Sequence, residues 1–257
     1  MISAGIDCGA KNTKTVIMQD ARIIGRGMVS TGFDQAEAIN ASIEAACKDA
    51  GITRDQIEKW AGTGSGKSVV ENALIVNDIK AMAKGGRYFF PNARTVADVG
   101  AEEGRAVKVR ENGNIEDFTI NEKCAAGAGA FVEAMARALE VTIEEMGALC
   151  LQSNATIPMN AQCAIFAESE VVGLIHAKTP KPDISRAIHD AIAARIVSMI
   201  RRIGVNEDVV LMGGMGRNPG FKDAMLRELE IEKIYIPEEP EYGMAVGAAV
   251  VAMEKGR

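Results

Sequence analysis

The stretch that decides the fold lies at the start of the chain and reads ISAGIDCG at residues 2–9. It indicates a short apolar strand that ends in Asp7 and Gly9. A turn rich in Lys and Thr follows, and residues 15–18 indicate the returning strand of a hairpin. Glycine at a strand end lets the backbone approach a phosphate, and the aspartate can hold Mg²⁺ through water. The segment predicts one wall of a phosphate site.

The same plan recurs about 90 positions later, in TVADVG at residues 95–100. This second strand ends in Asp98 and Gly100, residues 106–109 return, and Asn-Gly at 112–113 predicts a hairpin turn before a strand over 115–120. Two such units predict a duplicated α/β lobe, in which the paired ends clamp a triphosphate. The alternative is that both aspartates cap turns and do nothing more.

Other segments complete the two lobes. Helical spacing predicts a helix from Asp34 to Ala50, with Gly51 as its C-cap. An apolar strand over 209–212 leads into two glycines and a helix, which suits close approach to a flat or anionic part of a ligand. The small residues at 242–249 predict a tightly packed helix start, and the acidic run at 237–241 predicts a solvated loop.

The segment AGTGSGKS at residues 61–68 resembles a phosphate-binding P-loop. The first glycine of that pattern is replaced by Ala61, and residues 56–60 do not have the pattern of a buried apolar strand. A helix is predicted to follow over 69–84. Two interpretations stay open: a true phosphate cradle, or a surface loop rich in Gly and Ser near the cleft. The second is favoured.

Two of the five cysteines precede predicted helices. Cys124 lies before a helix that runs to about Glu140, and Cys163 lies just before a helix that carries Val171, Val172, Leu174 and Ile175. A helix N-terminus favours a thiolate and any anionic cluster that it ligates. Two cysteines are half of a four-cysteine iron–sulfur site, so a second chain would supply the other half. The alternative is that both are small buried hydrophobes.

Composition excludes several classes. The 257 residues include 29 Lys+Arg and 35 Asp+Glu, for a net charge of −6, and 47% are apolar. This balance is typical of a folded globular chain, and its mild acidity argues against a nucleic-acid partner. No apolar run reaches the length of a membrane span, and the first residues lack a secretory signal. We therefore expect a cytoplasmic protein with no membrane partner.

Six segments together resemble one known family over nearly the whole chain. That family comprises the ATPases that activate 2-hydroxyacyl-CoA dehydratases and the ATP-binding subunits of benzoyl-CoA reductase. The resembling segments are GIDCGAKNTK, DVGAEEGRA, NEKCAAGAGAF, AQCAIFAESEV, VVLMGGMGRN and YGMAVGAA. The resemblance implies an α/β fold of the actin, Hsp70 and acetate-kinase type, with two ribonuclease-H-like lobes around ATP and Mg²⁺. The first lobe would cover residues 1–92 with the C-terminal helix 243–257, and the second residues 93–242.

The resemblance also implies a [4Fe-4S] cluster shared between two chains. Its ligands in this chain would be Cys124 and Cys163. The implied partners are a homologous ATPase subunit, either identical or a paralogue, and catalytic iron–sulfur subunits of a reductase or dehydratase. A ferredoxin-like protein would donate the electron.

Position within the resembling segments assigns the nucleotide site. Asp7 and Asp98 are predicted to contact Mg²⁺ through water, and Glu102 or Glu103 to orient the attacking water. Those predicted to line the phosphates are Gly9, Lys11, Thr13 and Lys14 on one side and Gly100 and Ala101 on the other. Gly213 and Gly214 are predicted to meet the adenosine.

The segment at residues 98–106, here called the second phosphate loop, points to a particular branch of the family. Dehydratase activators usually have Asp-x-Gly-Gly-Gln-Asp there, whereas this chain has Ala101, Glu102 and Glu103 after the glycine. The segment looks more like the smaller ATP-binding subunit of benzoyl-CoA reductase. We therefore predict an ATP-hydrolysing, electron-activating subunit for the reduction of an aromatic acyl-CoA. The alternatives are an activator of a 2-hydroxyacyl-CoA dehydratase, a small-molecule kinase of the same fold, and an ATP-sensing scaffold.

Overall fold

Two mixed β-sheets form the frame of the computed structural model, which describes residues 1–121, 129–159 and 163–255. The strands are β1 Ile2–Cys8, β2 Asn12–Gln19, β3 Arg22–Ser30, β4 Lys59–Thr63, β5 Leu74–Ile75, β6 Thr95–Val99, β7 Gly104–Val109, β8 Ile115–Asn121 and β9 Val209–Met212. The first sheet has the order β3-β2-β1-β4-β5, and the second has the order β8-β7-β6-β9.

The two sheets repeat one plan, which confirms the predicted duplication. In each, a strand pairs antiparallel with the next strand of its hairpin and parallel with a later strand: β1 with β2 and β4, β6 with β7 and β9. Beside β9, Tyr235 forms a parallel bridge with Val210, at the place that β5 holds in the first sheet. The hairpin turn predicted at residues 112–113 joins β7 to β8.

Helices cover both sheets and fill the space between them. They are α1 Gln35–Ala50, α2 Asp78–Phe89, α3 Gly129–Ala138, α4 Ile143–Cys150, α5 Ala164–His176, α6 Lys181–Ile203, α7 Pro219–Leu229 and α8 Gly243–Glu254. One apolar core joins α1 to the outer face of the first sheet. A second core joins the helices from α3 through α7 to the outer face of the second sheet. Helices α2 and α8 lie between the sheets.

Strand alternation turns both motif aspartates toward this middle layer. Successive side chains of a strand point to opposite faces. In β1, Ile6 packs toward α1, whereas Gly5 faces α8. Asp7 therefore lies on the inner face. In β6, Val96 joins the inner core, so Asp98 lies on the inner face as well. Because side chains alternate along a strand, both carboxylates point toward the space between the two sheets.

Local signals place α1 as predicted but not the segment after β4. Asp34 caps α1 by accepting from the backbone N–H groups of Ala36 and Glu37, and Gly51 ends the helix with φ 66°. The helix predicted over 69–84 is wrong. A 3₁₀ turn at 67–69 and the short strand β5 come first, and α2 starts at Asp78.

Among the described residues, no helix is long and apolar enough to cross a membrane. The lobe boundaries stay a prediction.

The middle layer depends on backbone contact between α2 and α8. A Cβ built on Gly247 would lie 1.8 Å from the carbonyl oxygen of Ala81, and one on Gly85 would lie 2.0 Å from that of Gly243. Real Cβ atoms do not approach backbone oxygens so closely. Glycine is required at these contacts, in agreement with the tight packing predicted from the small residues at 242–249.

We expect Gly247→Ala to lower the free energy of unfolding by about 2–4 kcal/mol, because the new methyl group forces α2 and α8 apart. The matched control is Gly173→Ala, an exposed position inside α5 where an added Cβ meets nothing within 4 Å. That control should be neutral or stabilising by about 0.5–1 kcal/mol. Urea unfolding of the nucleotide-free protein measures both. Equal effects of the two substitutions would contradict this packing argument.

Candidate functional site

A cleft with polar walls, about 1030 Å³ in volume, lies where the ends of β1 and β6 meet. Both sheets and the middle layer contribute to it. Its lining consists of Asp7, Gly9, Ala10, Lys11, Asn12, Lys14, Ser65, Asp98, Gly100, Ala101, Glu102, Glu103, Arg105, Gly129, Glu133, Ile143, Gly213, Gly214, Met215, Glu241 and Met244. Ten of the eleven residues predicted for the nucleotide site are in this set.

A buried ion pair forms the first wall. Asp7 and Lys14 are direct cross-strand partners in the β1–β2 hairpin, and the Lys14 Nζ lies 2.9 Å from the Asp7 Oδ2. Both side chains are largely removed from solvent. Burial lowers the pKa of Lys14, but the carboxylates of Asp7, Asp98 and Glu241 raise it by more, so the net shift is upward. Lys14 is therefore a fixed positive charge at the cleft floor.

The second wall repeats this arrangement with an arginine. Asp98 and Arg105 are direct partners in the β6–β7 hairpin, 3.7 Å apart at their nearest charged atoms. The same guanidinium forms an ion pair with Glu103 and lies 3.3 Å from the Asp78 Oδ2 at the start of α2. Because it binds three carboxylates, Arg105 holds the second phosphate loop against the middle layer.

Burial sets the protonation of Asp98. It raises the pKa of this carboxyl group to about 6, and nearby Asp7 adds to the rise while Arg105 opposes it. The charged form is costly because water is excluded. A positive charge placed beside Asp98 would favour its charged form.

The glycine loop after β9 approaches the second phosphate loop closely. Gly213 has φ 83°, and a Cβ there would lie 2.4 Å from the Val99 carbonyl oxygen. Gly214 has nothing within 4 Å of an added Cβ and lines the cleft. The loop therefore presents open backbone to a ligand, as its glycines predict.

One predicted phosphate-lining residue has a different place. Thr13 is completely buried, its hydroxyl lies 2.9 Å from that of Thr31 and 3.7 Å from the Cys8 sulfur, and it is absent from the cleft lining. It alternates with Lys14 along β2, so its side chain points to the other face. Thr13 supports the first loop from beneath instead of contacting a ligand.

The acidic run at 237–241 is not wholly solvated, contrary to the prediction. Glu241 lines the cleft with a side chain that is mostly buried, and Arg217 donates two hydrogen bonds to its carboxylate, from Nε at 2.9 Å and Nη2 at 2.5 Å. On the same run, Glu239 pairs with Arg26 of the first sheet at 2.7 Å. The acidic run therefore links the start of α8 to the loop after β9 through Arg217 and to β3 through Arg26.

Sequence reasoning also left four polar lining residues out of the site, namely Asn12, Arg105, Ser65 and Glu133. Arg105 follows the second loop at the strand position opposite Asp98, and hairpin register was the signal that could have found it. Ser65 follows β4, which is parallel to β1, so it reaches the same sheet edge. Glu133 lies on α3, and no local pattern marks it.

The P-loop-like segment is built differently from a phosphate cradle. Ala61 and Gly62 are inside strand β4, and Lys67 binds Asp78 at 2.9 Å. The same carboxylate accepts hydrogen bonds from Thr63 and from the N–H of Gly64. Lys67 is absent from the cleft lining. The segment therefore begins as a buried strand and continues as a loop with Ser65 at the cleft, so it only partly matches the surface loop favoured from the sequence. Its lysine secures α2.

Only one of the two predicted cluster ligands can be described. Cys163 is partly exposed and is the N-cap of α5, with no hydrogen bond from its side chain to the helix. Cys124 lies outside the described residues. Cys8, Cys47 and Cys150 are buried, and burial raises the pKa of each thiol, that of Cys150 to about 11. Within the described ranges, no three His, Cys, Asp or Glu side chains converge as a metal site.

Comparison with solved structures first defines the class. A ROK family glucokinase from Streptomyces griseus, in complex with glucose and AMPPNP, superposes with a TM-score of 0.62 at 15% identity, covering 99% of this chain and 100% of that chain. This likeness shows the fold alone: two ribonuclease-H-like lobes of the actin, Hsp70 and sugar-kinase type, as predicted.

The chain belongs to the BadF/BadG/BcrA/BcrD ATPase family, which it matches over residues 4–252. It is 32% identical to the 2-hydroxyisocaproyl-CoA dehydratase activator of Clostridioides difficile, over 100% of this chain and 97% of that protein. It is 34% identical to the activator of lactoyl-CoA dehydratase of Anaerotignum propionicum, over 99% and 98%. The benzoyl-CoA reductase D subunit of Thauera aromatica is 30% identical, over 97% and 92%.

Two solved structures of the family are nearly superimposable on this chain. Component A of the (R)-2-hydroxyglutaryl-CoA dehydratase of Acidaminococcus fermentans has a TM-score of 0.94 at 31% identity, covering 99% of this chain and 98% of that chain. The 2-hydroxyisocaproyl-CoA dehydratase activator from Clostridium difficile, with bound ADPNP, has a TM-score of 0.93 at 32% identity, covering 99% and 95%.

We expect Asp98→Asn to stabilise the nucleotide-free protein at pH 8 by up to about 3 kcal/mol, the equivalent of a rise of about two pKa units. A carboxyl group whose pKa is higher in the folded state than in the unfolded state stabilises the fold below pH 4. For Asp98, this stabilisation is lost as pH rises through about 6. The amide avoids that loss. The gain should therefore shrink toward zero at pH 4, as measured by urea unfolding across pH. A gain independent of pH would contradict the assignment.

Proposed function

We propose that this chain is the ATP-dependent activator of a 2-hydroxyacyl-CoA dehydratase. The observation that carries the proposal is the near-complete agreement, in length and fold, with component A of such a dehydratase at a TM-score of 0.94. Two relatives named as dehydratase activators cover almost the whole chain at 32% and 34% identity. The family match supports ATP hydrolysis as its activity.

The relatives favour this alternative over the benzoyl-CoA reductase function that the second phosphate loop suggested. That function remains the second candidate, because the related reductase chain is 30% identical over 97% of this chain. The loop is a short segment, whereas the fold agreement extends over the whole chain. The electron acceptor is therefore proposed to be a dehydratase that acts on a 2-hydroxyacyl thioester.

Charge in the cleft explains why the nucleotide would enter as its magnesium complex. The lining carries six carboxylates, namely Asp7, Asp98, Glu102, Glu103, Glu133 and Glu241, against three cations, Lys11, Lys14 and Arg105. A free polyphosphate anion would be repelled by that surplus. Mg²⁺ keeps most of its water and needs few carboxylates, which matches one aspartate on each wall. Asp7 and Asp98 would hold the hydrated ion between them.

The two glutamates of the second loop differ in availability. Glu103 is bound by Arg105, whereas Glu102 is exposed and makes no hydrogen bond or ion pair with the described part of the chain. A carboxylate that orients attacking water must be free to accept its proton or hydrogen bond. We assign that role to Glu102, while Glu103 fixes the loop.

The cysteine donors fit an iron–sulfur cluster as far as they can be described. Cys163 presents a thiol at the start of α5, where the free N–H groups of the first turn favour an anionic ligand such as a cluster. Beside it, Ile165 and Phe166 are exposed, which is unusual for large apolar side chains and suits a site completed by another molecule. Cys163 and Cys124 would hold the [4Fe-4S] cluster with the same pair from a second chain. When bound, that group supplies one-electron transfer at low potential.

The proposal is tested by mixing anaerobically purified protein with a two-subunit 2-hydroxyacyl-CoA dehydratase, a low-potential reductant and MgATP. Dehydration should require this chain and ATP, and a non-hydrolysable ATP analogue should not support it. A parallel assay uses the catalytic subunits of a benzoyl-CoA reductase. Activation of the reductase alone would overturn the proposal in favour of the second candidate, and phosphorylation of a small acceptor with neither activation would favour a kinase.

The adenosine assignment predicts that Gly214→Val lowers MgADP affinity by about tenfold or more, equivalent to about 1.4 kcal/mol. The added side chain fills open cleft space and meets no neighbour in the folded protein, so unfolding should change little. The matched control is Lys67→Ala, which lies outside the cleft and should keep affinity within about threefold. Calorimetric titration measures both. Loss of binding in the control with retention in Gly214→Val would restore the P-loop interpretation.

The cluster assignment predicts that Cys163→Ser removes most of the iron and the visible absorption of anaerobically prepared protein, because a hydroxyl is a poor ligand for iron–sulfur clusters. MgADP affinity should stay unchanged, since Cys163 is not in the cleft lining. The control is Cys150→Ser, a buried thiol whose pKa is far above neutral, which should keep its iron. Full iron content in Cys163→Ser would contradict the assignment.

A further inference from the structure

Helix α3 is attached by its backbone to the second phosphate loop. The N–H of Gly129 donates to the Gly100 carbonyl oxygen at 2.8 Å, and the N–H of Ala130 donates to that of Ala101 at 2.8 Å. These two bonds use donors that the first turn of a helix leaves without intrahelical partners. Any displacement of the second loop is therefore transmitted directly to the start of α3.

The same helix is tied to the opposite wall by one ion pair. Lys11, in the turn between β1 and β2, donates from its Nζ to the Glu133 carboxylate on α3. This contact joins the first phosphate loop to a helix of the second lobe across the mouth of the cleft. Both residues line the cleft, so the bond lies in the space that a nucleotide would use.

The two lysines of the first loop differ in their freedom. Lys14 is buried and fixed on Asp7, whereas the side chain of Lys11 is 51% exposed and that of Glu133 is 31% exposed. Exposed ion pairs are individually weak because water and salt screen them. A polyphosphate carries more charge than one carboxylate, so it would compete for the Lys11 ammonium. The buried pair would persist and the exposed one would break.

Helix α3 also packs against the helix that begins at Cys163. Phe131, Val132 and Met135 share one core with Ala167 and Val171 of α5. Residues 122–128, which include Cys124, immediately precede α3 in the sequence. The position of α3 therefore bears on the predicted cluster ligand of α5 through packing.

We propose that Lys11 and Glu133 form an interlobe latch that the phosphates of a bound nucleotide open. Glu133 is then a positioning residue: it holds Lys11 in the empty cleft and holds α3 against the first lobe. When phosphate takes Lys11, α3 loses its tie to the first lobe but keeps its backbone bonds to the second phosphate loop. The proposal rests on the proposed function only in requiring a nucleotide in this cleft, and it names the contact through which occupancy reaches α3.

The latch predicts that Glu133→Gln binds MgADP about threefold to tenfold more tightly than the unaltered protein, because Lys11 no longer has to leave a carboxylate. In a Lys11→Met background, the same substitution should have a clearly smaller effect on affinity, because only the general repulsion between this carboxylate and the nucleotide is then removed. The matched control is Glu254→Gln, which breaks the exposed Lys84–Glu254 pair between α2 and α8, outside the cleft lining, and should leave affinity unchanged.

A second measurement follows α3 itself. Amide hydrogen exchange over residues 129–138 should become faster when MgADP binds the unaltered protein, while Glu133→Gln should exchange at the faster rate with or without nucleotide. A purely structural role for Glu133 would speed exchange without changing MgADP affinity.

The outcomes separate the latch from the function. Unchanged or weaker MgADP affinity in Glu133→Gln, with normal binding by the unaltered protein, overturns the latch alone. An effect of Glu133→Gln that is undiminished in the Lys11→Met background also overturns it. Absence of nucleotide binding by the unaltered protein overturns the proposed function, and the latch with it.

Discussion

Two buried carboxylates face each other in one cleft, and each is held by a cation on the neighbouring strand. Asp7 lies opposite Lys14, and Asp98 lies opposite Arg105. Without these cations, two like charges in a space with little water would repel, and one carboxyl would be protonated. The raised pKa of Asp98 shows that the compensation is incomplete there. The proposed Mg²⁺ would supply the remaining positive charge.

The rest of the architecture keeps these two pairs in register while allowing the lobes to respond to a ligand. Gly85 and Gly247 let α2 and α8 meet at backbone distance, so the layer between the sheets is thin and closely packed. Arg105 then joins the second sheet to the start of α2 through Asp78. The connection at the mouth, between Lys11 and Glu133, is exposed and weaker. A firm floor with a weak bond at the opening is suited to the ligand-dependent release of that bond.

The functional assignment depends on how much weight a short motif is given. The second phosphate loop favoured benzoyl-CoA reductase, while relatives that cover the whole chain are named as activators of 2-hydroxyacyl-CoA dehydratases. Loop residues such as Glu102 and Glu103 line the cleft, and the nucleotide proposed to bind there is common to both functions. They carry little information about the partner. The surface around Cys163, with exposed Ile165 and Phe166, is where partner choice would be expressed.

By itself, the sequence determined the repeated strand ends and the helix between Asp34 and Gly51. Ten of the eleven residues that it predicted for the nucleotide site line the cleft. These features depend on alternation, capping and glycine spacing within a few residues. Tertiary structure alone decided that Thr13 points away, that Glu241 is buried on Arg217, and that Glu133 reaches Lys11. Those outcomes join side chains from different elements. Local periodicity sets which face a residue occupies, but the partner on that face depends on how distant elements pack.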